Sequence, residues 1–384
     1  MSSKFRHITA LAALAVVLAA CGSKPADTAK TEGAAAPAAV DTDAEKVLNV
    51  FNWSDYIEPS LIEQFTQETG IKVNYDVMDD NNVLDAKLKA GHSGYDLVVP
   101  SASYLANQIK ANIYQKLDRS KLKNWGNLDP VILKKLDAFD PGNLYAVNYM
   151  WGTSGVAYNE EKIKEIDPNA PVNSFAMFYD PNEIKKFQKC GISVLDAPGE
   201  VVGTILMYMG KDANSENLDD LKAAEKVLMS IRPYIRKIES SAYIDNLASG
   251  EWCLALGWSG DVLQSATRAE ENKKPFHIKY HIPKEGAVQF FDNFAIPADA
   301  THVKNAHLFI DFMNRPEVAA KNSSYISYAN GNSASFALID PKVKDNPDVY
   351  PPPELADKLV PDLPESAEYT KQLTRTWQRF KTGK

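Results

Sequence analysis

The sequence predicts an α/β fold organised as two domains, and three observations carry that expectation. The chain has 384 residues, enough for two domains of ordinary size, and 45% hydrophobic residues, enough to fill their cores. From Val47 to Ser101 the pattern runs strand, helix, strand, helix, strand, as in a parallel sheet with crossover helices. A second region of buried-strand patterns begins near Tyr149-Met150-Trp151.

The elements follow in chain order. Lys4, Arg6 and His7 make a basic start, and "ITALAALAVVLAA" then runs apolar for 13 residues, short for a membrane span. It ends in Leu18-Ala19-Ala20-Cys21-Gly22, which resembles a bacterial lipoprotein lipobox with Cys21 as the site of lipid attachment. The alternative is plain secretion with Cys21 incidental. Residues 1–21 are therefore expected to be a signal peptide. Residues 22–46, rich in Ala, Thr and Pro and without aromatics, read as a flexible tether.

"VLNVFNW" then reads as a strand, and "SLIEQFTQETG" as a helix closed by Gly70 at its C′ position. "IKVNYDVM" alternates with period two, as a strand should. "NNVLDAKLKAG" is a second helix ending at Gly91, and "YDLVVPS" is an apolar strand stopped by Pro100. Ligands in such sheets sit beyond the carboxyl ends of the strands. "FNWSDY" (Phe51 to Tyr56) and "VPSAS" (Val99 to Ser103) both lie at such ends. That position favours a binding loop over a surface turn with aromatic packing.

In the second region "GISVLDAP" and "WCLALGWSGD" look like buried strands with polar or aromatic exits. "AVQFFDNFAIP" is a further strand, followed by a helix in "NAHLFIDFMNRPEVAA" whose Pro316 marks a break or a new start. Cys190 and Cys253 remain beside Cys21. In an oxidising compartment an even pair means a structural disulfide, with two free buried thiols as the alternative.

Charge and motifs exclude several functions. A net charge of -8 argues against a nucleic-acid partner and suits, weakly, a cationic ligand. "GHSG" and "GWSG" miss the nucleophile-elbow spacing by one residue, and no HExxH, P-loop or GxGxxG occurs. The six histidines are scattered, so no metal site is expected. A pair of carboxylates at strand ends leaves an exported hydrolase as the alternative function.

Taken together, "NWSDY", "YDLVVPSASYL", "YMWGTSGVAYN", "CGISVLDAPGEV", "ALGWSGDV", "IPKEGAVQFFDNFAIPADA" and "YPPPELADKL" resemble the bacterial polyamine-binding proteins of ABC importers. The putrescine-binding branch is nearest in motif detail, and the likeness runs from about Val47 to the C-terminus. It implies a two-lobed periplasmic-binding-protein fold, each lobe a central mixed sheet flanked by helices, joined by hinge crossovers. Residues 47–148 and 285–336 would form one lobe, 149–284 and 337–384 the other. The ligand would sit between them, touched by Trp53, Ser54, Asp55, Tyr56, Ser101, Ser103, Glu200, Trp258, Asp261, Phe290, Asp292 and Tyr328. The two cysteines fall where members of the branch carry a disulfide. The resemblance further implies a monomer, free of cofactor and metal, that serves an ABC permease of the inner membrane. A polyamine sensor for a signalling receptor would use the same fold.

The residue types fit that chemistry on their own terms. A diamine is two ammonium groups on a methylene spacer, each with three donors and no acceptor. Asp55, Glu200, Asp261 and Asp292 offer acceptors, and Trp53, Tyr56, Trp258, Phe290 and Tyr328 offer ring faces. Cation–π contacts contribute about 0.5–2 kcal/mol each and charged hydrogen bonds about 1.5–3. A micromolar complex needs about 8 kcal/mol net, so a few of each suffice after ordering costs. The bland readings are that Asp55 caps the following helix, that Glu200 is a helix-start acid and that Trp258 is core. Ser103 and Ala197 are small, as in the putrescine branch. Asp362 stands where that branch tends to be apolar; it would greet a third amine or face water, and the solvated reading is preferred. Putrescine is the first ligand expected, spermidine the second, then agmatine or cadaverine.

Overall fold

The computed structural model describes residues 45–384. The stretches expected to be a signal peptide, with Cys21, and nearly all of the expected tether lie outside the described residues.

β1 (Val47–Trp53) pairs in parallel with β2 (Lys72–Met78) and with β3 (Leu97–Val98). The helices Pro59–Thr69 and Asn81–Ala90 make the crossovers. Gly70 closes the first of them in the left-handed conformation that a Cβ would oppose. β3 is shorter than the apolar run suggests. Pro100 has no N–H for a ladder, and Ser101 already begins the helix Ala102–Lys110.

β4 (Ala146–Asn159) is the long strand of the molecule, and β9 (Ala287–Ala295) lies antiparallel along it. β4 continues to β7 (Leu254–Trp258), also antiparallel. β7 pairs in parallel with β5 (Ile192–Val194), and β5 with β6 (Lys237–Ile238). β8 (Ile278–His281) and β10 (Ala329–Asn330) add to β4, and β11 (Leu359–Pro361) adds to β9. The order is β2-β1-β3-β9-β4-β7-β5-β6.

Two main cores share this frame. Leu48, Val50, Leu61, Phe65, Phe294 and Phe309 build one, while Val156, Ile192, Val201, Leu254, Trp377 and Phe380 build the other. β4 feeds both: Val147, Tyr149 and Met150 face the first, Val156, Ala157 and Tyr158 the second. β9 does the same with Phe290 and Phe294 against Ala287 and Val288. This is the mixed α/β arrangement expected, with the strands of both cores joined in one continuous sheet. The strands that cross between cores have their buried side chains dictated from both ends.

The Pro316 expectation resolves as a new start. Val303–Met313 ends and Pro316–Ile326 begins with Pro316 at its first turn, where a missing N–H costs nothing. Ile339, Val343 and Val349 pack with Phe139, Trp151 and Phe291, and the C-terminal helix Ala367–Thr382 returns to the second core. Cys190 and Cys253 are disulfide-bonded with Cα atoms 5.5 Å apart, at the entries of the paired strands β5 and β7.

Candidate functional site

Strand exits from both cores converge on one cavity. Its walls are Trp53, Ser54, Tyr56, Met78, Asp79, Ser101, Glu200, Ser240, Ser241, Ile244, Trp258, Asp261, Phe290, Asp292 and Tyr328. The open space among them is about 30 Å³, room for little more than a water or two.

Of the four carboxylates in this lining Asp79 is exposed, and the other three are withdrawn from water and held by neutral donors. Asp292 on β9 takes the Tyr56 hydroxyl on Oδ2 at 2.8 Å and the Ser101 hydroxyl on Oδ1 at 2.6 Å. Ser101 is itself fixed by the amide of Asn81, 3.0 Å away. Asp261, in the first turn of the helix Ser259–Glu271, takes the hydroxyls of Tyr328 at 2.7 Å and Tyr243 at 2.8 Å. Glu200, in the first turn of the helix Pro198–Tyr208, takes Ser154 Oγ at 2.5 Å and Trp258 Nε1 at 2.8 Å.

Electrostatics follow from that inventory. Withdrawal from water pushes Asp292 up to about 6 and Asp261 up to about 7. Glu200 is pushed up to about 8, by burial first and then by the neighbouring Asp362. Among the described residues, no basic side chain lines the cavity to offset these charges.

Aromatic rings fill the space between the acids. Trp53, anchored by Nε1 to the Val99 carbonyl at 3.0 Å, meets Trp258 edge-on with centroids 5.7 Å apart. Phe290 stands 6.2 Å from both Trp258 and Tyr328, and Tyr56 stands 4.9 Å from Tyr328. Glycines make this packing feasible. A Cβ on Gly260 would come within 2.2 Å of the Tyr328 ring, and one on Gly152 within 2.7 Å of Phe290.

Of the twelve residues expected at the cleft, ten line the cavity. Asp55 and Ser103 stand outside its lining. Asp55 adopts φ 53° and turns its carboxylate to Arg268 at 2.5 Å, while Arg268 also holds Asp245 at 2.7 Å. It does not cap the following helix; Glu58 does, accepting from Ser60 N. Ser103 is buried, and its hydroxyl supports Asp362. Asp362 itself is half-buried rather than solvated, its carboxyl pushed up to about 6 by burial. β11 explains the difference: it pairs with β9 and carries Asp362 in, with its backbone N–H on the Gln289 carbonyl at 2.9 Å.

Five lining residues escaped the sequence reading. Met78 and Asp79 sit at the exit of β2, where the strand-end rule alone would have found them, and Ser54 donates to Asp79 at 2.7 Å. Ser240, Ser241 and Ile244 follow β6, whose two residues are too few to show a strand pattern.

An α/β sheet with two cores and a carboxylate- and ring-lined cavity between strand exits suits the capture of a small cationic ligand. The chain belongs to the bacterial extracellular solute-binding proteins, whose family model matches residues 60–351. It is 48% identical over 342 residues to the putrescine-binding periplasmic protein SpuD of Pseudomonas aeruginosa, covering 88% of this chain and 93% of that one. It is 46% identical over 342 residues to the putrescine-binding periplasmic protein PotF of Escherichia coli, with 88% and 92% covered. Among solved structures, a putative spermidine/putrescine ABC transporter from Listeria monocytogenes superposes with a TM-score of 0.79 at 32% identity, covering 88% of this chain and 100% of that one.

Proposed function

We propose that this protein captures a polyamine outside the cytoplasm and delivers it to the permease of an ABC importer, with putrescine its first ligand and spermidine its second. One observation carries the reading. Asp261, Asp292 and Glu200 converge on one cavity, each satisfied by neutral donors, with no internal cation among the described residues. Burying carboxylates without a counter-charge is costly, and a dication removes that cost on arrival. Indole and phenol faces line the methylene path between the acids. The names of the relatives point the same way.

The two cores act as the lobes, the first drawn mainly from 47–148 and 285–336 and the second mainly from 149–284 and 337–384, with β4 and β9 crossing between them and 339–349 packed against the first. All twelve expected residues keep their roles as ligand contacts, except that Asp55 and Ser103 act from outside the lining. Asp55 pairs with Arg268, and Ser103 supports Asp362. The protein works as a monomer held to the membrane through a lipid on Cys21, and it changes no covalent bond in its ligand.

Calorimetric titration with putrescine, spermidine, agmatine and cadaverine tests this. We expect saturable binding of one polyamine per chain, with the ligand recovered intact after prolonged incubation. Absence of heat with all four would defeat the assignment, and an altered ligand would turn it towards a hydrolase.

A further inference from the structure

We propose that Tyr243 is a positioning residue for ligand binding, setting the Trp258 backbone and the Asp261 carboxylate through one hydroxyl. Tyr243 is absent from the cavity lining and fully buried in the second core. Its hydroxyl donates to Asp261 Oδ2 at 2.8 Å and accepts from the Trp258 backbone N–H at 3.1 Å. A phenol has one proton to give and lone pairs to receive, so both bonds form together.

The location makes those bonds matter. Trp258 is the last residue of β7 and the N-cap of the helix that carries Asp261 three positions on. Gly257, the strand residue before Trp258, lies so close to Tyr243 that a Cβ there would approach its ring to 2.8 Å. Ring and strand exit are thus fitted to each other, and the hydroxyl pins the two groups that the exit presents to the ligand. Tyr328 reaches the other oxygen of Asp261 from the first core, whereas Tyr243 holds it from within the second. The segment before Tyr243 supplies Ser240 and Ser241 to the cavity, and Ile244 follows it. One short stretch therefore builds a wall of the cleft and fixes the opposite strand exit.

The inference rests on the polyamine reading, and the test separates the two. Tyr243→Phe keeps the ring and removes only the hydroxyl. Putrescine affinity should fall at least tenfold. Its pH dependence should also move, because Asp261 loses a donor that favours the ionised form. The charged and titratable groups facing Asp261 are Tyr243, Tyr328, Tyr56, Asp55 and Arg268, of which only the first changes. With less support for its charge, Asp261 should protonate at higher pH, so the loss of affinity on acidification should begin at higher pH than in the wild type. A lowered Tm with affinity and pH profile unchanged would reduce Tyr243 to core packing and overturn the proposal. Should Tyr243→Phe fail to fold, 3-fluorotyrosine placed at position 243 keeps both bonds but makes the phenol a stronger donor, so the loss of affinity on acidification should begin at lower pH; an unchanged profile would overturn the proposal. Wild-type protein that ignores putrescine would instead defeat the function.

Discussion

Asp292 keeps a carboxylate between a phenol and a serine hydroxyl, with no basic side chain lining the cavity among the described residues, and this sets its expected behaviour on mutation. Asp292→Asn and Asp261→Asn remove the charge but keep the shape, so each should weaken putrescine binding at least tenfold, about 1.4 kcal/mol. The thermal midpoint of the ligand-free protein should hold or rise, because the unligated protein bears the cost of those buried charges without using them. Unaltered affinity in both variants would remove these acids from the site. The raised pKa values give a second expectation, and its sign can be worked through. Asp292, Asp261 and Glu200 titrate near 6, 7 and 8 in the folded protein, above ordinary carboxylates. The folded state therefore holds more protons than the unfolded between roughly pH 4 and 8, and ligand-free stability should fall as pH rises through that window. A dication favours the ionised forms, so affinity should climb over the upper part of the same window. Glu200→Gln should flatten its alkaline end; a wild-type affinity independent of pH would contradict the protonation states. At this scale much was legible, because acids and rings at strand exits have few other uses. Asp362 was not, since its burial depends on β11 finding β9, about seventy residues away in sequence.

Elements were legible in proportion to their length and period. β1, β2 and their crossover helices announce themselves by alternation and by terminal glycines, and Pro316 marks a helix start by what its ring forbids. β6 and β10 have two residues each, owe their existence to neighbours, and leave no local pattern. Ser240, Ser241 and Ile244 were missed for that reason. The disulfide belongs to this scale as well, since it joins the entries of the paired strands β5 and β7. Cys190 and Cys253 are 63 residues apart, and closing a loop of that length restricts the unfolded chain by about 4 kcal/mol. Oxidised protein carrying Cys21→Ser should show no free thiol under denaturing conditions, and reduction should lower stability by a few kcal/mol. Two titratable thiols in freshly exported material would refute the bond.

Across the whole molecule the site is a property of two cores together. Trp53, Ser101 and Asp292 stand on elements of the first, and Glu200 and Asp261 on elements of the second, with Trp258 packed against both. About 30 Å³ of open space is too little for a four-carbon diamine, so we expect the walls to part before a ligand enters and to close again around it. A ligand that touches both lobes binds the closed arrangement better than the open one and must shift the population towards closure. Putrescine should therefore reduce the radius of gyration in solution scattering. It should also change tryptophan fluorescence saturably, because Trp53 and Trp258 meet across the cavity. Trp258→Ala should weaken binding by removing one wall and the donor to Glu200, yet leave the ligand-free radius alone. The decisive comparison is the radius with and without saturating putrescine, under conditions where calorimetry confirms binding. An unchanged radius would mean that the ligand sits within a single lobe, and that the acids of the other lobe serve the fold and not the ligand.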